Sequence, residues 1–66
     1  MVKGQQVRLT AYGGAEIVRR VVGETDSTVI VCTDAEYDSA EREGREPRAV
    51  GFPKSTLVGE AFASPP

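Results

Sequence analysis

The sequence predicts an all-β fold, a small barrel of about five strands with a short helical insert near residues 34–43. Two observations support this prediction. Runs rich in β-branched residues recur at short spacing between glycine and proline turns, and one charged segment has the start and stop features of a helix. A chain of 66 residues forms one domain. We place that domain at residues 1–60, with residues 61–66 as a flexible C-terminal tail.

The first predicted strand is the alternating run at residues 5–12. Val7, Leu9 and Ala11 point to one side of this run, and polar residues occupy the positions between them. A period of two over this length is typical of a half-buried strand. The Gly13-Gly14 pair then ends the strand with a turn.

Residues 16–22 fit either a strand or a helix, because their apolar positions also form a helical stripe. The four apolar side chains are all β-branched, which favours the strand. A bulge at residues 19–20 would turn both Val18 and Val21 inward. The next run, at residues 28–32, is apolar on both faces and is predicted to be a central strand.

The charged segment at residues 34–46 is either a short helix or a long charged hairpin loop. A helix over residues 34–43 is favoured, since Thr33 and Glu36 form a capping box at its start. Gly44 stands where a left-handed residue ends a helix. Two arginines flank this glycine among acidic residues, which indicates a salt-bridged contact.

The segment from Gly51 to Leu57 predicts a short strand, a tight 3₁₀ turn and a last strand. It resembles the closing segment of SH3-like barrels, in which an aromatic or aliphatic residue and a proline lead into such a turn. The resemblance covers about eight residues and implies a fold rather than a function. A polyproline ligand is not implied, because the chain has no tryptophan and Thr56 replaces the tyrosine of that binding site.

The same segment is similar to that of the type II dihydrofolate reductases, small barrels whose active site is a pore at the centre of a tetramer. Their Val-Gln-Ile-Tyr signature would fall on residues 49–52, where this chain has Ala-Val-Gly-Phe. The chain therefore lacks the glutamine and the tyrosine hydroxyl that the resemblance would require. An enzyme active only as an oligomer is our third functional hypothesis.

Charge is distributed unevenly along the chain. Residues 1–23 carry four basic residues against one acidic residue, whereas residues 34–46 carry six acidic residues against two arginines. The whole chain has 8 basic and 10 acidic residues and a net charge of −2. This balance is ordinary for a soluble protein and disfavours non-specific binding to nucleic acid.

The residue types needed for catalysis and metal binding are scarce. Histidine is absent and Cys32 is the only cysteine. We therefore predict no catalytic residue, metal, cofactor or intrachain disulfide. The unpaired cysteine, together with the lack of an export signal or an apolar span, predicts a cytoplasmic protein.

Exposed aromatic and basic side chains are the candidates for binding. The first two strands offer a basic face with one tyrosine, and the helical insert offers a second tyrosine and two arginines. The predicted interaction surface comprises Arg8, Tyr12, Arg19, Arg20, Tyr37, Arg42 and Arg45.

We expect a non-enzymatic protein-interaction module or small subunit, whose partner is another protein or a second copy of the chain. The alternative is a nucleic-acid- or ribosome-associated barrel that uses the face of Arg8, Arg19 and Arg20. Nucleic acid is not favoured, because few aromatic residues accompany these arginines. No membrane partner is expected.

Overall fold

Five antiparallel strands and one α-helix form the protein in the computed structural model, which describes residues 2–60. The elements in chain order are β1 (Gln6–Thr10), a first 3₁₀ turn (Tyr12–Gly14), β2 (Glu16–Glu24), β3 (Thr28–Cys32), α1 (Asp34–Glu43), β4 (Val50–Pro53), a second 3₁₀ turn (Lys54–Thr56) and β5 (Leu57–Glu60). The strands form one sheet in the order β4-β3-β2-β1-β5. The predicted all-β fold of five strands and one short helix is confirmed at this level. The predicted tail at residues 61–66 lies outside the described residues, and the single domain over residues 1–60 stays a prediction.

Two segments that the sequence left open now have a defined structure. Residues 16–22 are strand within β2, and residues 34–43 are the helix α1 rather than a loop. The helix begins where predicted, since the Thr33 hydroxyl oxygen accepts a hydrogen bond from the Glu36 N–H at 3.1 Å. It ends at Gly44, whose φ of 68° is the left-handed conformation that glycine adopts at little cost.

β2 contains a bulge, but not at the predicted position. The pairing of β2 with β3 slips between Val21 and Gly23, which makes Val22 the extra residue. The prediction of a bulge at residues 19–20 is therefore wrong. Without a bulge there, Val18 keeps the outward side of the alternation and is 41% exposed.

The core lies on one face of the sheet, the inner face. Five of its side chains are at most 3% exposed and three more are partly buried against them. They are Val7, Leu9, Val21, Val29 and Val31, with Ile17, Phe52 and Leu57 packed on this cluster. The helix α1 contacts the opposite, outer face through Gln6 and Arg20. Within residues 2–60 the inner face has no helix over it, so the sheet must bend over its own core.

The bent sheet does not close into a barrel, and this corrects the prediction. β4 and β5 are the two edges of the sheet and are not paired with each other in the described part of the chain. Each is antiparallel to its neighbour, so β4 and β5 run in the same direction. A parallel pair needs a crossover of roughly a dozen residues. The connection here is the three-residue turn Lys54–Thr56, which is too short for closure.

Two valine-to-alanine substitutions in the sheet test the position of the core. Val29 is fully buried on the inner face, whereas Val50 is 59% exposed on the edge strand β4. We expect Val29→Ala to lower the free energy of unfolding by about 2 kcal/mol, because it removes buried methyl groups and leaves a cavity. Val50→Ala should stay within about 0.5 kcal/mol of the wild type. Urea unfolding followed by circular dichroism measures both. Equal losses for the two variants would contradict this core.

Candidate functional site

The predicted interaction residues do not form one continuous surface. Arg20 and Tyr37 meet between the sheet and α1, and Arg42 and Arg45 lie in or just after the last turn of the helix. Arg8 and Arg19 lie on opposite faces of the sheet, and Tyr12 lies in the turn after β1. The structure therefore offers several separate regions.

Arg20 joins the helix, the sheet and the N-terminal turn at residues 3–4. Its Nε donates to Asp34 Oδ1 at 2.9 Å, and one Nη donates to the carbonyl of Gly4 at 2.8 Å. Its guanidinium lies 5.6 Å from the centre of the Tyr37 ring, within the range of a cation–π contact. Gln6 adds a 2.8 Å hydrogen bond to the other Asp34 oxygen. These contacts fix α1 on the sheet, so they are structural and leave Arg20 poorly placed to bind a ligand.

The Asp34 carboxylate is held in its charged form by these donors. Its pKa is lowered, first by the hydrogen bond from Gln6 and then by the hydrogen bond from Arg20.

Cys32 is buried, and this burial raises the pKa of its thiol. A nucleophilic cysteine needs the opposite shift and an exposed position. Cys32 therefore packs as a small apolar residue.

A second group of contacts closes the C-terminal end of α1. Arg45 lies 2.5 Å from Glu36 and 2.8 Å from Glu43. The Glu36 carboxylate also accepts from the Arg48 backbone N–H at 2.9 Å. These bonds, led by the one from Arg45, lower the pKa of Glu36 to about 2. The predicted salt-bridged contact thus forms inside the chain, and Glu36 binds this loop instead of completing a reciprocal capping box with Thr33.

The three arginines of β1 and β2 do not form a continuous basic groove. Arg8 lies opposite Val18 on the outer face and 3.5 Å from the Glu16 carboxylate. Arg19 lies opposite Val7 on the inner side of the sheet, where it donates to the neighbouring Val18 carbonyl. Arg20 returns to the outer face but is held by Asp34. Alternation along the strand therefore separates charges that are close in sequence.

An open groove of about 250 Å³ lies at the other end of β1, beside Tyr12. Its lining is almost entirely apolar and consists of Thr10, Ala11, Tyr12, Phe52, Pro53 and Thr56. The Tyr12 side chain is fully exposed, at 104% of its reference area. The turn that carries it depends on Gly13, whose φ of 77° favours glycine. The Thr56 hydroxyl donates to the Pro53 carbonyl at 2.7 Å, so the second 3₁₀ turn presents a fixed wall.

The groove includes residues that the sequence analysis did not assign to a site. Phe52, Pro53 and Thr56 belong to the predicted closing turn, and Tyr12 belongs to the face of the first predicted strand. The resemblance of the closing turn to the peptide site of SH3 domains is the sequence signal that could place these residues in one site. Their distance in sequence from Tyr12 hides the fact that all four residues line one groove.

Other kinds of site have less support in the structure. A smaller cavity of about 110 Å³ lies between the N-terminal turn and the end of α1, and charges of both signs line it. Across residues 2–60, no group of three or more metal-binding side chains is close enough to hold an ion. The helix in this part of the chain lacks the length and apolar character needed to cross a membrane.

Comparison with known proteins gave no match to a family model, a curated protein or a solved structure. The functional argument therefore rests on the geometry of the groove and its surroundings.

The low pKa of Glu36 predicts a specific loss of stability in acid. The pKa of Glu36, about 2, lies below the ordinary glutamate value of 4.5. The contribution of Glu36 to the free energy of unfolding is therefore complete above about pH 4.5 and is lost as the pH falls towards 2. Glu36→Gln should be less stable than the wild type at pH 7, and this difference should shrink below pH 4. Glu41→Gln, an exposed position on the same helix, should retain the wild-type dependence on pH. Thermal unfolding at several pH values measures this. A difference in stability between Glu36→Gln and the wild type that does not change with pH would contradict the low pKa of Glu36.

The three-way contact of Arg20 predicts that lysine cannot replace it. Lysine lacks the planar fork that reaches both Asp34 and Gly4. We expect Arg20→Lys to lower the midpoint of thermal unfolding by a few degrees and to speed amide exchange in α1. The matched control is Arg8→Lys, at an exposed pair with Glu16, which should leave both unchanged. Similar effects of the two variants would argue against the role of Arg20 in holding α1 on the sheet.

Proposed function

We propose that the protein is a non-enzymatic interaction module of the SH3-like type, which binds a partner through the groove beside Tyr12. The observation that carries this proposal is the fully exposed Tyr12 ring at the edge of an apolar groove. Tyrosine is enriched among the residues that dominate binding energy at protein interfaces. Its ring buries roughly 150–250 Å² of surface when a partner covers it.

The shape and charge of the groove fit a protein segment better than a small metabolite. Small-molecule sites enclose most of the ligand and place a few polar groups to orient it. The groove is open, and the hydroxyl of Thr56 is already used within the groove wall, where it donates to the Pro53 carbonyl. An extended or turn-shaped segment with an apolar side chain therefore fits this surface best.

The SH3-like assignment has two supports. The closing segment from Gly51 to Leu57 has the strand, 3₁₀ turn and strand that the resemblance implies. The sheet bends around one core, although its edges stay unpaired. A cytoplasmic location remains part of this proposal, based on the single buried cysteine.

Two other hypotheses have weaker support. A nucleic-acid binder would need a continuous basic surface, but Arg8 and Arg20 lie beside carboxylates and Arg19 lies on the other face. An enzyme active only as an oligomer would need a symmetric pore lined by polar groups. The groove beside Tyr12 is apolar and does not supply the polar groups that such a pore would need.

Selection of binding peptides by phage display tests the proposed function directly. We expect enriched peptides to bind the wild type and to lose affinity by at least about tenfold for Tyr12→Ala, because the ring anchors the contact. Arg42→Ala, at an exposed position on α1, should leave binding unchanged. Isothermal titration calorimetry with the selected peptides measures both. Peptides that bind Tyr12→Ala as tightly as the wild type would exclude the groove as the binding site.

A further inference from the structure

We propose that the partner in the groove is a second copy of this chain, and that two copies dock symmetrically with each Tyr12 ring in the groove of the other. This inference rests on the proposed function and names its partner. A two-fold dimer needs one patch that is complementary to itself. The protruding Tyr12 ring and the groove that can receive it lie side by side on one patch.

The size of the groove fits an aromatic ring. A protein cavity of about 150 Å³ accommodates benzene. The groove, at about 250 Å³, has room for a phenol ring and part of its backbone. In the symmetric arrangement the two Tyr12 rings lie beside each other, in the offset contact that aromatic pairs prefer.

Charge does not oppose this contact between identical chains. The six residues that line the groove are uncharged. The charged groups nearest to it along the chain are already paired, Arg8 with Glu16 and Lys54 with Glu24. The acidic helix α1 lies near Gln6, at the opposite end of β1 from the groove. Its charge therefore stays away from the contact.

The available area predicts a weak dimer that depends on concentration. A stable interface buries about 800 Å² on each partner, which would be nearly a fifth of the 4460 Å² surface of this chain. Two tyrosine rings and the groove walls provide less than that. The small core of a 66-residue chain still gains from any surface that association covers.

Sedimentation equilibrium from roughly 10 μM to 1 mM tests the proposal in the range where small interfaces associate. We expect a monomer–dimer equilibrium whose dissociation constant rises at least about tenfold in Tyr12→Ala. Tyr12→Phe keeps the ring and should dimerise like the wild type. Val2→Ala, at a 71% exposed valine outside the groove, is the matched control and should also dimerise. Circular dichroism confirms that each variant is folded.

Three results would overturn the proposal. The first is a monomer over the whole concentration range. The second is a dimer that Tyr12→Ala does not weaken. The third is a dimer lost in Phe62→Ala but kept in Tyr12→Ala, which would assign the contact to residues 61–66. A monomer whose selected peptides still require Tyr12 removes the second copy as partner and leaves the proposed function standing. If the peptides do not require Tyr12 either, both proposals fail.

Discussion

The inner face of the sheet has no second layer over it within residues 2–60, so the sheet has to bury this face by bending. Leu9, Val21 and Val29, from three different strands, are at most 1% exposed and form one cluster, which a flat sheet with an uncovered face would not allow. The bulge at Val22 and the short strands serve this bend. The open edges have a separate cause, since β4 and β5 run in the same direction and the chain passes between them through a single three-residue turn.

The outer face is covered by α1, which is held there by polar contacts, and the buried apolar residues outside the inner-face cluster are only Cys32 and Ala40 among those described. Arg20 and Asp34 hold α1 against this face, and Glu36 and Arg45 close the end of the helix. Most of the charged groups that could serve in binding are therefore used inside the molecule. Tyr12 is different, because its ring is exposed beside an apolar groove and the described contacts do not require it for folding. The proposed function follows from this contrast.

The sequence predicted local structure well, because local features set it. Period two gave β1, and Thr33 and Gly44 gave both ends of α1. The position of the bulge and the open edges depend on how the strands pair across the sheet. A high content of β-branched residues predicts a strand but does not determine its pairing register. The groove is lined by Tyr12 and by a turn some forty residues later in the chain, so spacing along the sequence could not reveal it. The charged candidates were predicted as a surface, but alternation and ion pairing divide them.

Amide hydrogen exchange followed by NMR is the most direct test of the central claim that one bent sheet supplies the stability and that α1 is attached to it. The account predicts the slowest exchange in β1, β2 and β3, at positions that face the core such as Leu9, Val21 and Val29. The amides of α1 should open at a lower free energy, because Ala40 is its one buried residue. Exchange in α1 as slow as in β2 and β3 would contradict the account, since helix and sheet would then unfold as one unit.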